Sequence, residues 1–179
     1  MDVNNPDTDE PVLPMCSICR NEPPINGVQL RCGHVFCYLC IKSAYETTGT
    51  CALCRREIEE EFNYQEHRIL GTLKLPSSSN GFYWFYEGKG GWWMYDADFN
   101  KELEQAYSQN LDTIEKFVAG EIYVVDFRHM AQRRKEGGRL RKIRREKLNK
   151  IDNIIGMAGL KGQDFREALE LMKEAAQYD

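Results

Sequence analysis

Seven cysteines and one histidine carry the most specific chemistry in this sequence. They follow C-x2-C-x12-C-x1-H-x2-C-x2-C-x10-C-x2-C, through Cys16, Cys19, Cys32, His34, Cys37, Cys40, Cys51 and Cys54. Each C-x2-C pair lets two thiolates grip one ion from a tight knuckle, and four soft ligands in a tetrahedron suit zinc. Eight ligands make two closed sites with no open position for water, so both metals are expected to be structural. An odd cysteine count argues against a closed disulfide framework. The acidic start, MDVNNPDTDEP, lacks the basic end and apolar stretch of a secretory signal. A reducing, cytosolic setting is the expectation.

The elements that hold these ligands form a small unit. All seven cysteines lie between Cys16 and Cys54, and the 125 residues after Cys54 contain none. A unit of roughly 45 residues buries too little apolar surface to fold unaided. Each zinc contributes apparent binding energy on the order of 10 kcal/mol, which offsets the missing core. The step in composition places a zinc domain at 14–58, after a disordered 1–13 and before a linker at 59–80. That linker starts as an acidic, helix-compatible stretch and ends in the turn-forming Pro76-Ser-Ser-Ser-Asn80-Gly81.

Beyond the turn the chemistry becomes aromatic and basic. Phe82 to Asp96 reads as two aromatic strands around Gly88-Lys89-Gly90-Gly91, a hairpin pattern. Asp98–Tyr107 has helical spacing, with Leu103, Ala106 and Tyr107 on one face. Ile114–Val118 and Ile122–Phe127 are β-branched and aromatic enough for strands, and Arg139–Arg144 alternates. An antiparallel sheet with one helix over 81–145 is expected. The tail, 146–179, ends in an expected helix at 164–177, capped by Asp164 with Glu167 and striped by Phe165, Leu169, Met172 and Ala176. That stripe suits docking on its own protein.

The chain of 179 residues is 42% hydrophobic and 29% charged, with a net charge of −4, which excludes collagen-like and wholly disordered classes. No run approaches the roughly 18 apolar residues of a membrane-spanning helix. From Arg133 to Lys147 nine lysines and arginines face only Glu136 and Glu146, a balance of +7 that leaves −11 elsewhere. Such a segment fits an anionic ligand, a nuclear import signal or a solvated face.

The ligand order, three cysteines, a histidine and four cysteines, resembles a RING finger. The resemblance implies a cross-brace, with Cys16, Cys19, Cys37 and Cys40 on one zinc and Cys32, His34, Cys51 and Cys54 on the other. It also implies docking of a ubiquitin-conjugating enzyme charged with ubiquitin. Ile18 matches the apolar contact to that enzyme, Leu53 sits on the facing loop, and Arg55 matches the linchpin that orients the thioester. Two positions depart from the pattern: Ala52 replaces a proline, and the loop Ile41–Thr50 lacks a tryptophan, with Tyr45 expected in its place. With every cysteine committed to zinc, no thiolate remains for a covalent ubiquitin intermediate.

Trp84-Phe-Tyr86-Glu87-Gly88, Gly91-Trp92-Trp93-Met-Tyr95-Asp96 and Glu102-Leu-Glu104 resemble a WWE domain. Ile122-Tyr123-Val-Val-Asp126, Met130-Ala-Gln132 and Arg139-Leu-Arg141 continue the match. The pair is similar to the RING–WWE family of poly(ADP-ribose)-directed ubiquitin ligases. That implies an α+β chain: a two-zinc RING finger, then a WWE domain, then a C-terminal helix. It also implies iso-ADP-ribose binding by Tyr86, Trp93, Tyr123, Gln132, Arg139 and Arg141, with Lys42 facing the ligand from the RING and ligand binding switching the RING on. The implied partners are ADP-ribosylated substrates and a poly(ADP-ribose) polymerase such as tankyrase, rather than DNA or a membrane, in the cytosol and also the nucleus. Aromatic faces stack on adenine and guanidinium forks suit phosphate, so the residue chemistry agrees. The alternative is a poly(ADP-ribose)- or RNA-binding adaptor with a ligase-inactive RING.

Overall fold

At each outer cysteine pair the chain turns back on itself in the same way. The computed structural model describes residues 13–58, 70 and 73–176. Arg20 and Arg55, each following the second cysteine of its pair, take left-handed φ values of 62° and 60°. Their amides donate to the carbonyls of Cys16 and Cys51 at 2.7 and 2.9 Å. Between the knuckles lies an antiparallel hairpin, β1 (Gly27–Gln29) and β2 (Val35–Cys37), which runs directly into helix α1 (Tyr38–Thr48). Gly49 stops α1 at φ 67°, its amide bonded to the Tyr45 carbonyl, an ending that favours a residue without Cβ. The core is small: Leu30, Phe36, Ile41 and Ile58 pack among the ligand cysteines.

The larger unit is built on β3 (Phe82–Gly88), β4 (Gly91–Met94), helix α2 (Ala97–Ser108), β5 (Thr113–Val118), β6 (Glu121–Asp126), β7 (Ala131–Arg134), β8 (Arg141–Lys147), β9 (Ile154–Met157) and helix α3 (Gln163–Ala175). The seven strands lie in the order β5-β6-β7-β8-β3-β4-β9. All neighbours run antiparallel except β4 and β9. Side chains alternate between the two faces of a strand, and this divides the core. Trp84, Tyr95, Val125 and Ile143 pack with Phe99 and Leu103 of α2. Tyr83, Phe85, Met94 and Met157 point the other way, against Phe165 and Leu169 of α3. The expected stripe on the last helix therefore docks on its own protein.

Three features differ from the sequence pattern. β7 reads Ala-Gln-Arg-Arg, with no β-branched or aromatic residue, because Gln132 and Arg134 face a cavity rather than a core and Arg133 faces solvent. The sheet also continues past residue 145, since β8 runs to Lys147 and β9 adds an edge strand on β4. Finally, α3 starts at Gln163 with Gly162 at its N-cap and no side-chain cap bond. Asp164 is thus inside the first turn, and its side chain lies outside the described residues. Glu167 accepts from Gln163 Nε2 at 2.8 Å. The expectations for 1–12, for 59–69, 71 and 72, and for the end of the last helix also lie outside the described residues. Among those described, no helix is long and apolar enough to cross a membrane.

The two units pack together. Val28 and Tyr38 of the zinc unit form a buried cluster with Leu160, and the turn Ala158–Gly159 presses on α1. Gly159 takes a left-handed φ of 82°, and a Cβ there would also come within 2.7 Å of Leu39 Cδ2, so the position favours glycine.

α2 is pinned to the sheet by Asp96, which accepts from the Phe99 amide at 2.9 Å as N-cap, and by Glu104. Glu104 Oε2 accepts from the Trp84 indole at 2.9 Å, and both its oxygens take the Arg145 fork at 2.9 and 2.6 Å. The Arg145 fork holds the Glu104 carboxyl down to about 2, from an ordinary 4.5. A depressed carboxyl contributes stability that is complete above pH 4.5 and lost as pH falls towards 2. Glu104→Gln should cost about 1.5–3 kcal/mol at neutral pH. Thermal melts should show its deficit shrinking as pH falls through that window. A deficit equal at every pH would contradict the assignment.

Candidate functional site

The metal-ligand residues assemble as two clusters. Cys16, Cys19, Cys37 and Cys40 form one, and Cys32, His34, Cys51 and Cys54 the other, with ligand atoms within 4.8 Å of one another in each. Cys19 Sγ lies 3.4 Å from Cys37 Sγ, while His34 Nδ1 lies 3.4 Å from Cys32 Sγ and 3.6 Å from Cys51 Sγ. These separations suit the edges of a zinc tetrahedron with Zn–S bonds of about 2.3 Å. The Ile25 amide donates to Cys37 Sγ at 3.1 Å, support for a thiolate. Hydrogen bonds from Cys37 and Cys40 hold the Cys16 thiol down, and Cys16 in turn pushes theirs up. Sulfurs competing for protons at this range fit a site in which a dication replaces the protons. The clusters interleave along the chain, so the residues fit two structural zinc ions in a cross-brace.

Beside the clusters runs a shallow groove of about 510 Å³. Ile18 and Arg55 line it together with Ser43, Ala44 and Thr47 of α1. Leu53 is 53% exposed on the same loop as Arg55 but outside the lining. Tyr45 is not among the residues that line the groove; half-buried, it packs against the zinc-unit core, and small residues of α1 form that wall.

A second cavity, of about 340 Å³, opens where α1 meets the sheet. Three cross-strand pairs build its sheet wall: Tyr86 opposite Trp93, Tyr123 opposite Arg134, and Gln132 opposite Arg141. Leu39, Lys42 and Glu46 of α1 supply the facing wall. The Trp93 indole is fixed by two glycines. A Cβ on Gly88 would fall 2.3 Å from Trp93 Cδ1, and one on Gly156 2.6 Å from Trp93 Cζ3. Tyr95 Oη donates to Gln132 Oε1 at 2.9 Å, which orients an amide otherwise buried to 4% exposure. Burial pushes the Tyr86 phenol up, so it stays a neutral donor. Arg141 lies over the Tyr86 ring, 5.8 Å from its centroid.

Burial lowers Lys42, whose ammonium donates to the Gly159 carbonyl at 3.5 Å. Arg134 is raised by its bond to the Tyr123 hydroxyl and lies 3.8 Å from Glu121. The cavity thus joins aromatic faces, an oriented amide and four cations, Lys42, Lys89, Arg134 and Arg141, a set suited to a base, hydroxyls and phosphates.

Of the ligand residues expected from sequence, Lys42, Tyr86, Trp93, Tyr123, Gln132 and Arg141 line this cavity. Arg139 does not. It sits in the exposed turn before β8, and Arg134 takes the inward place. Strand parity decides this: Arg134 is two residues from Gln132 and shares its face, a relation visible only once β7 is known to be a strand. Glu46 and Glu121 also line the cavity and gave no sequence signal.

Residues 13–60 match the zinc finger of C3HC4 type, the RING finger, and residues 82–145 match the WWE domain. The chain belongs to the RING–WWE family. Among curated proteins it is similar to E3 ubiquitin-protein ligase RNF146-A of Bos taurus, 41% identical over 166 residues, which is 92% of this chain and 47% of that protein. E3 ubiquitin-protein ligase RNF146 (Iduna) of Homo sapiens is 41% identical over 168 residues, 92% of this chain and 46% of that protein. Its Xenopus tropicalis counterpart is 39% identical over 168 residues, 92% and 52%. The chain spans about half the length of the curated relatives it matches.

Two measurements check the site. Elemental analysis should find two zinc ions per chain, and chelation should unfold the zinc unit; a single zinc would contradict the cross-brace. Gly88→Ala should displace the Trp93 ring and change tryptophan fluorescence without lowering the zinc content. An unchanged spectrum would show that the ring is not held as described.

Proposed function

We propose that this chain is a RING-type ubiquitin-protein ligase that reads poly(ADP-ribose) and is switched on by it. One observation carries the reading. The cavity with nucleotide-binding chemistry is walled jointly by α1 of the RING and by the WWE sheet.

The groove between the zinc loops receives the ubiquitin-conjugating enzyme, with Ile18 as the apolar contact and Leu53 reaching from the facing loop. Arg55 stands at the groove's edge, where its planar fork donates to the enzyme and to ubiquitin at once. The contribution is orientation of the thioester for attack by a substrate lysine. Because all seven cysteines are metal ligands, ubiquitin passes directly, without a cysteine intermediate on this chain. Cys16 and Cys19, and Cys51 and Cys54, would hold zinc that fixes the loops carrying Ile18 and Arg55, a structural contribution.

The boundary cavity receives iso-ADP-ribose. Tyr86 and Trp93 offer ring faces and edges to the adenine. Lys42, Arg134 and Arg141 meet the phosphates, and Gln132 reads a hydroxyl or the purine edge. Bound polymer delivers ADP-ribosylated proteins, including those modified by a polymerase such as tankyrase, for ubiquitination and degradation. The similarity to RNF146, whose name states E3 ubiquitin-protein ligase, supports the transfer half of this reading.

An autoubiquitination assay with and without iso-ADP-ribose tests ligase activity, ligand and coupling together. Chains should form faster with the ligand. Arg55→Ala should abolish chain formation and leave ligand affinity intact. Arg141→Ala should weaken iso-ADP-ribose binding roughly ten- to hundredfold by calorimetry, the cost of a lost charged hydrogen bond. Ligand binding without chain formation by the wild-type chain would instead favour an adaptor with an inactive RING.

A further inference from the structure

The cavity uses only part of the basic segment. Of the nine cations from Arg133 to Lys147, Arg134 and Arg141 point into the cavity, Arg145 is held by Glu104, and Lys135 pairs with Glu115 at 2.8 Å. Arg133, Lys142 and Arg144 are exposed on the opposite face of the same strands. None of the three makes an ion pair among the described residues. Arg144 stacks over the Trp92 ring, 5.3 Å from its centroid. Ala131 lies opposite Lys142 on β7 and Val124 opposite Arg133 on β6, while on the β3 side Glu87 follows the Tyr86–Ile143 pair towards Lys142. Glu87 and Glu146 occupy the β3–β8 side of the sheet without pairing to any of the three.

We infer that this outer face is a second polyanion contact, which holds the units of a poly(ADP-ribose) chain that flank the one in the cavity. The inference rests on the proposed function. Arg134 ends β7 and Arg141 begins β8, so both inner cations lie at the end of the sheet where the Lys135–Leu140 turn connects the strands. Their chain neighbours Arg133 and Lys142 are already on the outer face. A polymer leaving the cavity at that end passes Arg139, which stands exposed in the turn, and reaches the outer cations around it. Gly137 and Gly138, at φ 99° and 102°, build this turn without side chains, which keeps the passage low. The polymer carries two phosphates per unit and the face carries three unpaired cations on an otherwise acidic chain, so the charges are complementary.

The test compares iso-ADP-ribose with long poly(ADP-ribose) on the full chain, using the triple variant Arg133→Ala, Lys142→Ala and Arg144→Ala. The variant should bind the single unit with unchanged affinity but the polymer about tenfold more weakly near 0.15 M salt. Three lost phosphate contacts should lower the salt slope for the polymer by about two. Unchanged polymer affinity and slope would overturn the inference. So would single-stranded RNA that binds the wild-type chain as tightly as the polymer and is lost in the same variant, since the face would then be an RNA site. If the wild-type chain binds neither the single unit nor the polymer, the proposed function itself fails and takes this inference with it.

Discussion

Helix α1 is anchored by metal ligands at its very start, and most of the molecule's usable surface depends on that anchor. Cys37 immediately precedes the helix and Cys40 lies in its first turn, both in the same cluster. Leu39 and Lys42, on the same turns, form the RING wall of the boundary cavity. Ser43, Ala44 and Thr47 form a wall of the groove. The apolar core around the helix is a handful of residues, too few to fix its position alone. Two sulfur-rich ligand clusters therefore set the geometry of both cavities.

What could be read from the sequence was whatever a local pattern encodes. Ligand spacing fixed the metal count, and the aromatic hairpin, α2 and the stripe on α3 followed from periodicity. β7 was not legible, because a strand that lines a polar cavity resembles a loop. Without β7 the parity of Arg134 is unknown, and Arg139 looks equally suitable. β9 was hidden for a different reason: its place beside β4 is a long-range parallel pairing that no neighbouring residue announces. Tyr45 shows the limit of matching one large residue to another. Its position on the helix sets it against the edge of the zinc-unit core, half-buried and away from the groove lining.

Charge was equally ambiguous until the strands divided it. A run of nine cations in one dimension suggests a single patch. Alternation on β7 and β8 gives instead an inner pair beside aromatic rings and an outer group in solvent, with Arg145 withdrawn to hold α2 through Glu104. Adjacent residues such as Arg133 and Arg134 thereby acquire unrelated tasks. The inner cations can discriminate among ligands because they are oriented by Tyr123 and Tyr86. The outer ones can add only charge and, at Trp92, a stacked surface.

The arrangement of α1 also bears on how a ligand in the cavity can influence the groove. Positions 39, 42 and 46 face the cavity, 44, 47 and 48 face the groove, and Ser43 lies between, so one rigid helix separates the two sites. Ala119, at the tip of the β5–β6 hairpin, touches both cavities as well. A ligand shifts a conformational equilibrium only by the difference in its affinity for the two states. One that bonded solely to the sheet would have no such difference with respect to α1. One that also engages Lys42 gains contacts only when α1 is seated against the sheet, and a coupling of 1–3 kcal/mol, the usual allosteric range, corresponds to about one charged hydrogen bond. The lowered affinity of Lys42 for its proton marks the cost of burying that ammonium, which the Glu46 carboxylate on the same wall offsets only in part. Under the proposed function, a phosphate beside it would remove that cost, and the groove on the far side of the helix is where the gain would be felt.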